Sequence, residues 1–322
     1  MSHRRTFLIA RYLLIAVIAQ STASIAADNE TLLTPQLVAP HVYLIQGKAG
    51  VASQENRGFN SNAGFVVTSE GVVVIDALGT PALGEAMVAA IRKITDKPIR
   101  KVIITHYHAD HFYGLQAFKK TGAEIWAHRL AREYLEGSEG VARLAQRRQD
   151  LAPWVDAATR LVPADVWLDG DRTFTLGGIR FELIHLGPAH SPEDVIVIVG
   201  KSGVIFTGDI LFTGRIPFVG EADSKRWLST FSRLLELKPA IMVTGHGEPS
   251  RNPAADLSLT RDYLTYLRQV MGEAVEDFVS FDEAYARTDW SRFAKLPAFE
   301  AANRVNAYGT YLLMEKESLS KK

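Results

Sequence analysis

The chain has 322 residues, 47% hydrophobic and 22% charged, a balance that belongs to a folded globular protein and excludes a disordered or fibrous one. Lys and Arg together number 36, as do Asp and Glu, so no global field recruits nucleic acid or an anionic membrane. Cysteine is absent, which excludes disulfides, thiol catalysis and zinc–thiolate ligation; any metal site must be built from nitrogen and oxygen donors.

Residues 1–27, MSHRRTFLIARYLLIAVIAQSTASIAA, have a basic start, an apolar run and small residues before Asp28. That is the layout of a secretory signal cleaved near Ala26 or Ala27. Arg11 interrupts the run, which falls short of the roughly 20 apolar residues of a membrane span. Arg4-Arg5-Thr6-Phe7-Leu8 also resembles a twin-arginine export signal. The expected location is periplasmic or secreted, with no stable membrane insertion after cleavage. Cleavage removes three arginines and no acid, which leaves the mature chain slightly acidic and nucleic acid still less favoured.

QLVAPHVYLIQG reads as a strand. Asn62–Thr68 and Gly71–Asp76 read as a hairpin around Ser69-Glu70, with Val72–Ile75 continuously apolar as in a strand buried on both faces. Pro81 opens a helix whose Leu83, Met87, Ala90, Ile91 and Ile94 keep helical spacing. VIIT is a short buried strand, Phe112–Lys120 a helix, EIWAH a strand, and Arg129–Leu151 a mostly polar helical stretch. RTFTLGGIRFELIHL reads as two strands turning at Gly177-Gly178, and VIVIVGKSGVIFTGD as a hairpin around Gly200–Gly203. Asp223–Leu237 is helical and AIMVT is a strand. Beyond Pro253 the pattern is helical, with Tyr263, Tyr266, Leu267, Val270 and Met271 on one stripe. Strands alternating with helices in two similar halves predict two sheets with helices outside, an α/β architecture. The expected organisation is a signal over 1–27, a catalytic domain over 28–252 and a helical extension over 253–322.

The densest chemistry is ITHYHADHFYG, residues 104–114. His106 and His108 stand two apart at a strand end, where alternate side chains point the same way. Asp110 and His111 lie in the turn that follows and could address a second ion beside the first. Imidazole with carboxylate is a typical zinc donor set. More donors are needed, and LGPAHSPED supplies His190, FTGDILF supplies Asp209 and VTGHGEP supplies His246, each following an apolar strand beside Gly or Pro. Taken singly, each is more readily a structural or exposed residue, and Asp209 could bond its own backbone. Taken together, five histidines and two aspartates at strand ends point to a metal centre. His185 competes with His190 but falls within an alternating strand; His41 and His128 lack such a context.

The stretch Thr105 to His111 carries the pattern T-H-x-H-x-D-H, and with His190, Asp209 and His246 it resembles the metallo-β-lactamase superfamily of metallohydrolases. The resemblance runs from about Val38 to Pro249. It implies a four-layer αβ/βα sandwich with the site at one edge between the sheets. It also implies two zinc ions per chain, with iron or manganese as substitutes. His106, His108 and His190 would hold the first and Asp110, His111 and His246 the second, with Asp209 bridging. Asp76 matches an aspartate the family places behind the metal loop. The implied reaction is hydrolysis, in which a water ionised between the ions attacks an acyl carbon and Asp110 orients it or carries its proton. The implied substrate is a small molecule with a thioester, lactone or β-lactam-like amide.

FTGDILF is similar to the corresponding segment of glyoxalase II-type thioesterases. GDILFTGRIPF and FEAANRVNAYGTYLLMEKE resemble a subgroup of exported hydrolases associated with periplasmic sulfur oxidation and quinoprotein electron transfer, which implies a periplasmic redox-enzyme partner. Two other readings use the same residues. One is a sulfur-directed oxygenase with a single iron on two histidines and a carboxylate, against which the full second ligand set argues. The other is an accessory protein that docks on a redox enzyme through its helical tail.

Overall fold

The computed structural model describes residues 33–220 and 222–320; the expected signal segment lies outside the described residues. The first sheet has seven strands in sequence order, β1 to β7. QLVAPHVYLIQG is two strands rather than one, β1 (Gln36–Ala39) and β2 (Val42–Ile45), paired antiparallel. Pro40 has no N–H to offer a ladder and His41 takes a left-handed φ of 69°, so the chain reverses between them. β3 (Ala63–Val67) and β4 (Val72–Ile75) form the expected hairpin, with Val67 opposite Val72.

Helix α1 (Pro81–Ile94) begins where the Thr80 side chain accepts the Leu83 N–H and Pro81 occupies the first turn. β5 (Ile99–Ile103) then pairs parallel with β4. The expected helix over Phe112–Lys120 is two short pieces, α2 (Ala109–Phe112) and α3 (Leu115–Lys119). The loop after β4 ties this segment down: Ala77 N–H donates to the His111 carbonyl at 2.7 Å and Gly114 N–H to the Leu78 carbonyl at 3.1 Å. β6 (Glu124–His128), α4 (Ala131–Glu136), α5 (Ser138–Asp150) and β7 (Val166–Leu168) complete this half.

The second sheet runs β12-β11-β10-β9-β8. β8 (Arg172–Leu176), β9 (Ile179–His185), β10 (Val195–Val199) and β11 (Val204–Phe212) are successive antiparallel neighbours. Helix α6 (Ser224–Glu236) crosses over to β12 (Ile241–His246), which lies parallel to β11. α7 (Pro253–Glu276), α8 (Phe281–Arg287) and α9 (Phe299–Ser320) follow. No helix among the described residues is long and apolar enough to cross a membrane.

Alternation along the strands builds four layers. In β4, Val72 and Val74 face the cluster shared with α1 and Leu115, while Val73 and Ile75 face a cluster between the sheets with Val197, Phe206 and Val243. In the other sheet, Ile205 and Met242 face a third cluster with Trp227 of α6 and Tyr263, Leu267 and Met271 of α7. Strands buried on both faces are therefore continuously apolar. The fold is the four-layer αβ/βα sandwich, with α7–α9 packed on the outer face of the second sheet. Asn306 of α9 ties that region to the loop after β11, accepting the Val219 N–H at 2.7 Å and donating to the Pro217 carbonyl at 2.7 Å.

Candidate metal centre

The ends of β4, β5 and β12, the middle of β11 and the β9–β10 loop meet at one edge of the sandwich, where all seven expected donors come together. His106, His108, His190 and Asp209 form one group and Asp110, His111 and His246 a second; within each group the donor atoms lie within 4.8 Å of one another. Asp209 belongs to both in effect. Its Oδ2 lies 3.3 Å from His190 Nε2, 3.4 Å from His246 Nε2 and 3.7 Å from His106 Nε2, while its Oδ1 lies 3.2 Å from His111 Nε2. His246 Nε2 is also 3.4 Å from Asp110 Oδ2, and His108 Nδ1 is 2.8 Å from His190 Nε2.

Local structure explains each placement. Asp209 sits inside β11 rather than in a turn after it, because the strand continues past a register shift between Phe206 and Gly208. Gly208 has φ 53°, a conformation that favours glycine, and this irregularity re-aims the next side chain toward the cleft. His246 is the last residue of β12, not one beyond it. Asp76 follows β4 at φ 59° and is buried. Its carboxylate accepts the Thr105 N–H at 2.8 Å, the Thr105 hydroxyl at 2.9 Å and the His111 Nδ1–H at 2.9 Å. That bond leaves His111 Nε2 as the donor facing Asp209. Thr105 Oγ1, donating to Asp76, takes a bond from His106 Nδ1 at 3.1 Å and orients that ring likewise.

The loop carrying His190 is braced by its own acids. Asp194 accepts the Ser191 N–H at 2.7 Å and the Ser191 hydroxyl at 2.8 Å, and Glu193 accepts the Tyr107 N–H at 3.1 Å.

Three residues that the sequence did not single out act on the second group. Asn60 donates through Nδ2 to Asp110 Oδ2 at 3.0 Å, and its carbonyl accepts His246 Nδ1–H at 2.7 Å. The Ser61 hydroxyl donates to the Asp110 carbonyl at 2.5 Å. Arg215, only 1% exposed, donates through Nη1 to the Gly50 carbonyl at 2.5 Å and lies 3.2 Å from His246 Nδ1. The signals were present as polar residues interrupting apolar sequence, in GFNSNAGF and ILFTGRIPF. His185 is not in the cluster: it stacks on His128 at 3.9 Å between ring centroids, and its Nε2 bonds the Pro192 carbonyl at 2.9 Å. His41 is in the β1–β2 turn.

Electrostatics divide the donors. Burial pushes His106 down, helped by the His111 charge, and pushes His190 down to about 3; Asp209 opposes the shift at both. Both imidazoles are therefore neutral at pH 7 and able to ligate. At His111 burial also acts downward, but Asp209 and Asp76 outweigh it and hold the ring well above its usual 6.5. Burial would raise Asp110, yet His111 and His246 bring it down to about 2. Asp209 is likewise held well below the carboxylate range by His246 and His111 against the effect of burial.

His106 Nε2 is buried without a hydrogen-bond partner, and His111 Nε2 and Asp209 Oδ1 have none beyond their 3.2 Å approach to each other. Buried polar atoms in native proteins are almost always paired, so converging imidazole nitrogens and a carboxylate oxygen left without partners fit a metal cation. The superfamily typically binds metal ions, and this donor set is suited to that role.

Comparison with known proteins agrees with this geometry. The metallo-beta-lactamase superfamily pattern matches residues 56–246, more than half of the chain. The linear primary-alkylsulfatase of Pseudomonas sp. (strain ATCC 19151) is 25% identical over 239 residues, covering 63% of this chain and 45% of that protein. Hydroxyacylglutathione hydrolase GloC of Haemophilus influenzae is 30% identical over 199 residues, covering 59% of this chain and 86% of its own. Among solved structures, the stereoselective inverting sec-alkylsulfatase Pisa1 from Pseudomonas sp. has a TM-score of 0.66 at 19% identity, covering 87% of this chain and 50% of that one. The chain thus spans about half the length of the alkylsulfatases it matches. With its two-sheet sandwich, its edge cluster of histidines and aspartates and this match, the chain belongs to the metallo-β-lactamase superfamily of hydrolases.

Proposed function

We propose that the chain is a dinuclear metal hydrolase acting on the acyl bond of a small molecule: a thioester, a lactone or a β-lactam-like amide. The observation that carries this reading is the pair of donor groups sharing Asp209. His106, His108 and His190 would hold one ion, Asp110, His111 and His246 the other, and Asp209 would bridge them. Zinc is the metal proposed, since the donors are imidazole and carboxylate without thiolate. Divalent ions in such a set supply Lewis-acid polarisation of the scissile bond and lower the pKa of water from 15.7 toward about 7.

The protein's part is to fix the donors and handle a proton. Asp76 and Thr105 set the tautomers of His111 and His106. Asp110, ionised above about pH 2, turns Oδ2 toward both Asn60 and the second donor group, where it would serve as the ligand, which leaves Oδ1 to hydrogen-bond the attacking water and pass its proton toward the leaving group. We further propose a catalytic domain over 28–252 with 253–322 as its helical extension, export by the segment 1–27, and a periplasmic redox enzyme as a partner.

A second reading, hydrolysis of alkyl sulfate esters by the same residues, is favoured by the 25% identity to the linear primary-alkylsulfatase. Elemental analysis of the purified protein, coupled to hydrolysis of thioesters, lactones, β-lactams and alkyl sulfates, separates these readings. The expected result is close to two ions per chain, mostly zinc, with turnover of an acyl substrate. Turnover of alkyl sulfates alone selects the second reading; one tightly held iron with oxygen consumption sinks both.

A further inference from the structure

We infer that the substrate carries a carboxylate of its own, apart from the bond that is cut, and that Arg147 of α5 receives it together with the Tyr113 hydroxyl. This names the substrate class of the hydrolase proposed above and rests on that reading.

Helix α5 turns one face to the core. Gly140, Leu144 and Leu151 are buried there, and the two leucines belong to the cluster shared with α1. Arg147 falls on the same face, one turn before Leu151, where an apolar residue would continue the core. It is half-buried and its Nε is buried without a hydrogen-bond partner. Among the described residues no carboxylate lies within ion-pair distance of it. A charge drawn into a core face costs free energy unless it is paired, so this arginine calls for a partner from outside the chain.

The position adjoins the metal centre. A Cβ on Gly58 would meet Leu151 Cδ1 at 3.3 Å, and one on Gly79 would meet the Gly58 carbonyl oxygen at 2.7 Å and Asp110 Cα at 3.2 Å. Two closely packed glycines are thus all that separates the end of α5 from Asp110, and the Arg147 charge is felt there. Tyr113, just beyond His111, is wholly buried and its Oη lacks a partner. Arg147 and the exposed Arg143, one turn earlier, act on that hydroxyl and on the hydroxyl of Tyr134. The Tyr134 ring lies 6.4 Å from that of His108. Arginines and phenols therefore border the cleft beside Asp110 and His108. The acids felt at these phenols are Asp110 at Tyr113 and Glu139 at Tyr134, and neither pairs with Arg143 or Arg147.

The orphaned Arg147 Nε–H and Tyr113 O–H are both donors, beside a positive charge. Their complement is a carboxylate: planar, anionic, able to take a forked bond from a guanidinium and a further bond from a hydroxyl. A neutral carbonyl would leave the charge uncompensated.

The test uses the zinc-loaded full-length protein and two thioesters of one neutral thiol, the succinyl thioester and its methyl ester, which differ only in the free carboxylate. The wild type is expected to hydrolyse the carboxylate with kcat/KM at least about tenfold above that of the methyl ester, as a hydrogen-bonded charge pair provides. Arg147→Met should bring that ratio to about one, chiefly through KM, and Arg147→Lys should restore part of it. Tyr113→Phe, which deletes a buried hydroxyl without a partner, should lower the ratio while the melting temperature holds or rises. A wild-type ratio of about one overturns the inference. So does an equal loss on both thioesters in Arg147→Met, which would make Arg147 a support for Asp110. If Arg147→Met does not fold, the wild-type ratio and Tyr113→Phe decide. Turnover of neither thioester speaks against the acyl reading, and calorimetric titration with monomethyl succinate then decides the subsite. Binding at least about threefold tighter to the wild type than to Arg147→Met or Tyr113→Phe upholds it, and equal affinity overturns it.

Discussion

Replacing Asp76 by asparagine removes one carboxylate from behind the metal centre and leaves its shape almost unchanged. Asparagine tolerates the left-handed backbone at this position, where φ is 59°, so no backbone strain is added. The amide oxygen can still accept the Thr105 N–H, now 2.8 Å from Oδ1. The amide nitrogen then faces His111 Nδ1, 2.9 Å from Oδ2, where it cannot accept a proton. One buried donor loses its acceptor, which costs about 1–3 kcal/mol. Alternatively the ring shifts its proton to Nε2, accepts from the amide, and forfeits the nitrogen that faces Asp209. Either way the second donor group suffers, and loss of such an outer partner lowers metal affinity by roughly 10–100-fold. Thermal unfolding of the metal-free protein and zinc competition against a chromophoric chelator measure the two parts separately. An equal loss at both metal positions, or none at either, would refute the proposed role of Asp76.

Asp209→Asn is expected to lower zinc content and turnover together, since Asp209 faces both groups; full activity with two ions retained would show that it is not the bridge. Gly245→Ala places a Cβ 1.9 Å from Asp209 Oδ1, so the strand or the aspartate must move; a stability loss of about 1–3 kcal/mol with reduced zinc content is expected by thermal unfolding and elemental analysis. His128 is pushed down to about 4, chiefly by burial and then by the stacked His185. The unfolded chain therefore binds more protons between about 4 and 6.5, so the His128 contribution to stability is full above 6.5 and lost as pH falls toward 4. His128→Gln should flatten that part of the stability–pH curve, and an unchanged slope would exclude His128 as its origin. His111 is held well above 6.5 in the metal-free protein, so an ion at the proposed second position would have to displace its proton, and affinity there should weaken as pH is lowered more steeply than at the first.

The sheets were legible because residues such as Val72–Ile75 and Val195–Val199 must be apolar on both faces, a constraint that leaves little ambiguity even over runs of four and five residues. The ligands were legible because the same strands deliver them at their ends, where His106, His108 and His246 break an apolar run. What escaped was shorter or less periodic. Val166–Leu168 is too brief to show alternation, and the turn at Pro40-His41 lies within an apolar stretch that conceals it. Asn60 and Arg215 escaped because their roles depend on reaching across the fold, 186 residues from Asn60 to His246 and 165 from Arg215 to Gly50, and no local pattern records such a contact.

The Asn306 side chain bonds Val219 and Pro217, in the same short loop that carries Arg215. Tyr263 Oη bonds Asn303 Oδ1 at 2.8 Å and accepts from Asn306 at 3.1 Å, so two long helices clamp that loop from outside. The helices over 253–320 are therefore in mechanical register with the candidate metal edge. A truncation before Phe299, a proteolytic nick in α9 or a bulky fusion forcing that helix off α7 would slacken the loop around the guanidinium. Anyone trimming this protein to residues 56–246, the span of the superfamily match, would be cutting away the anchor of its candidate metal edge.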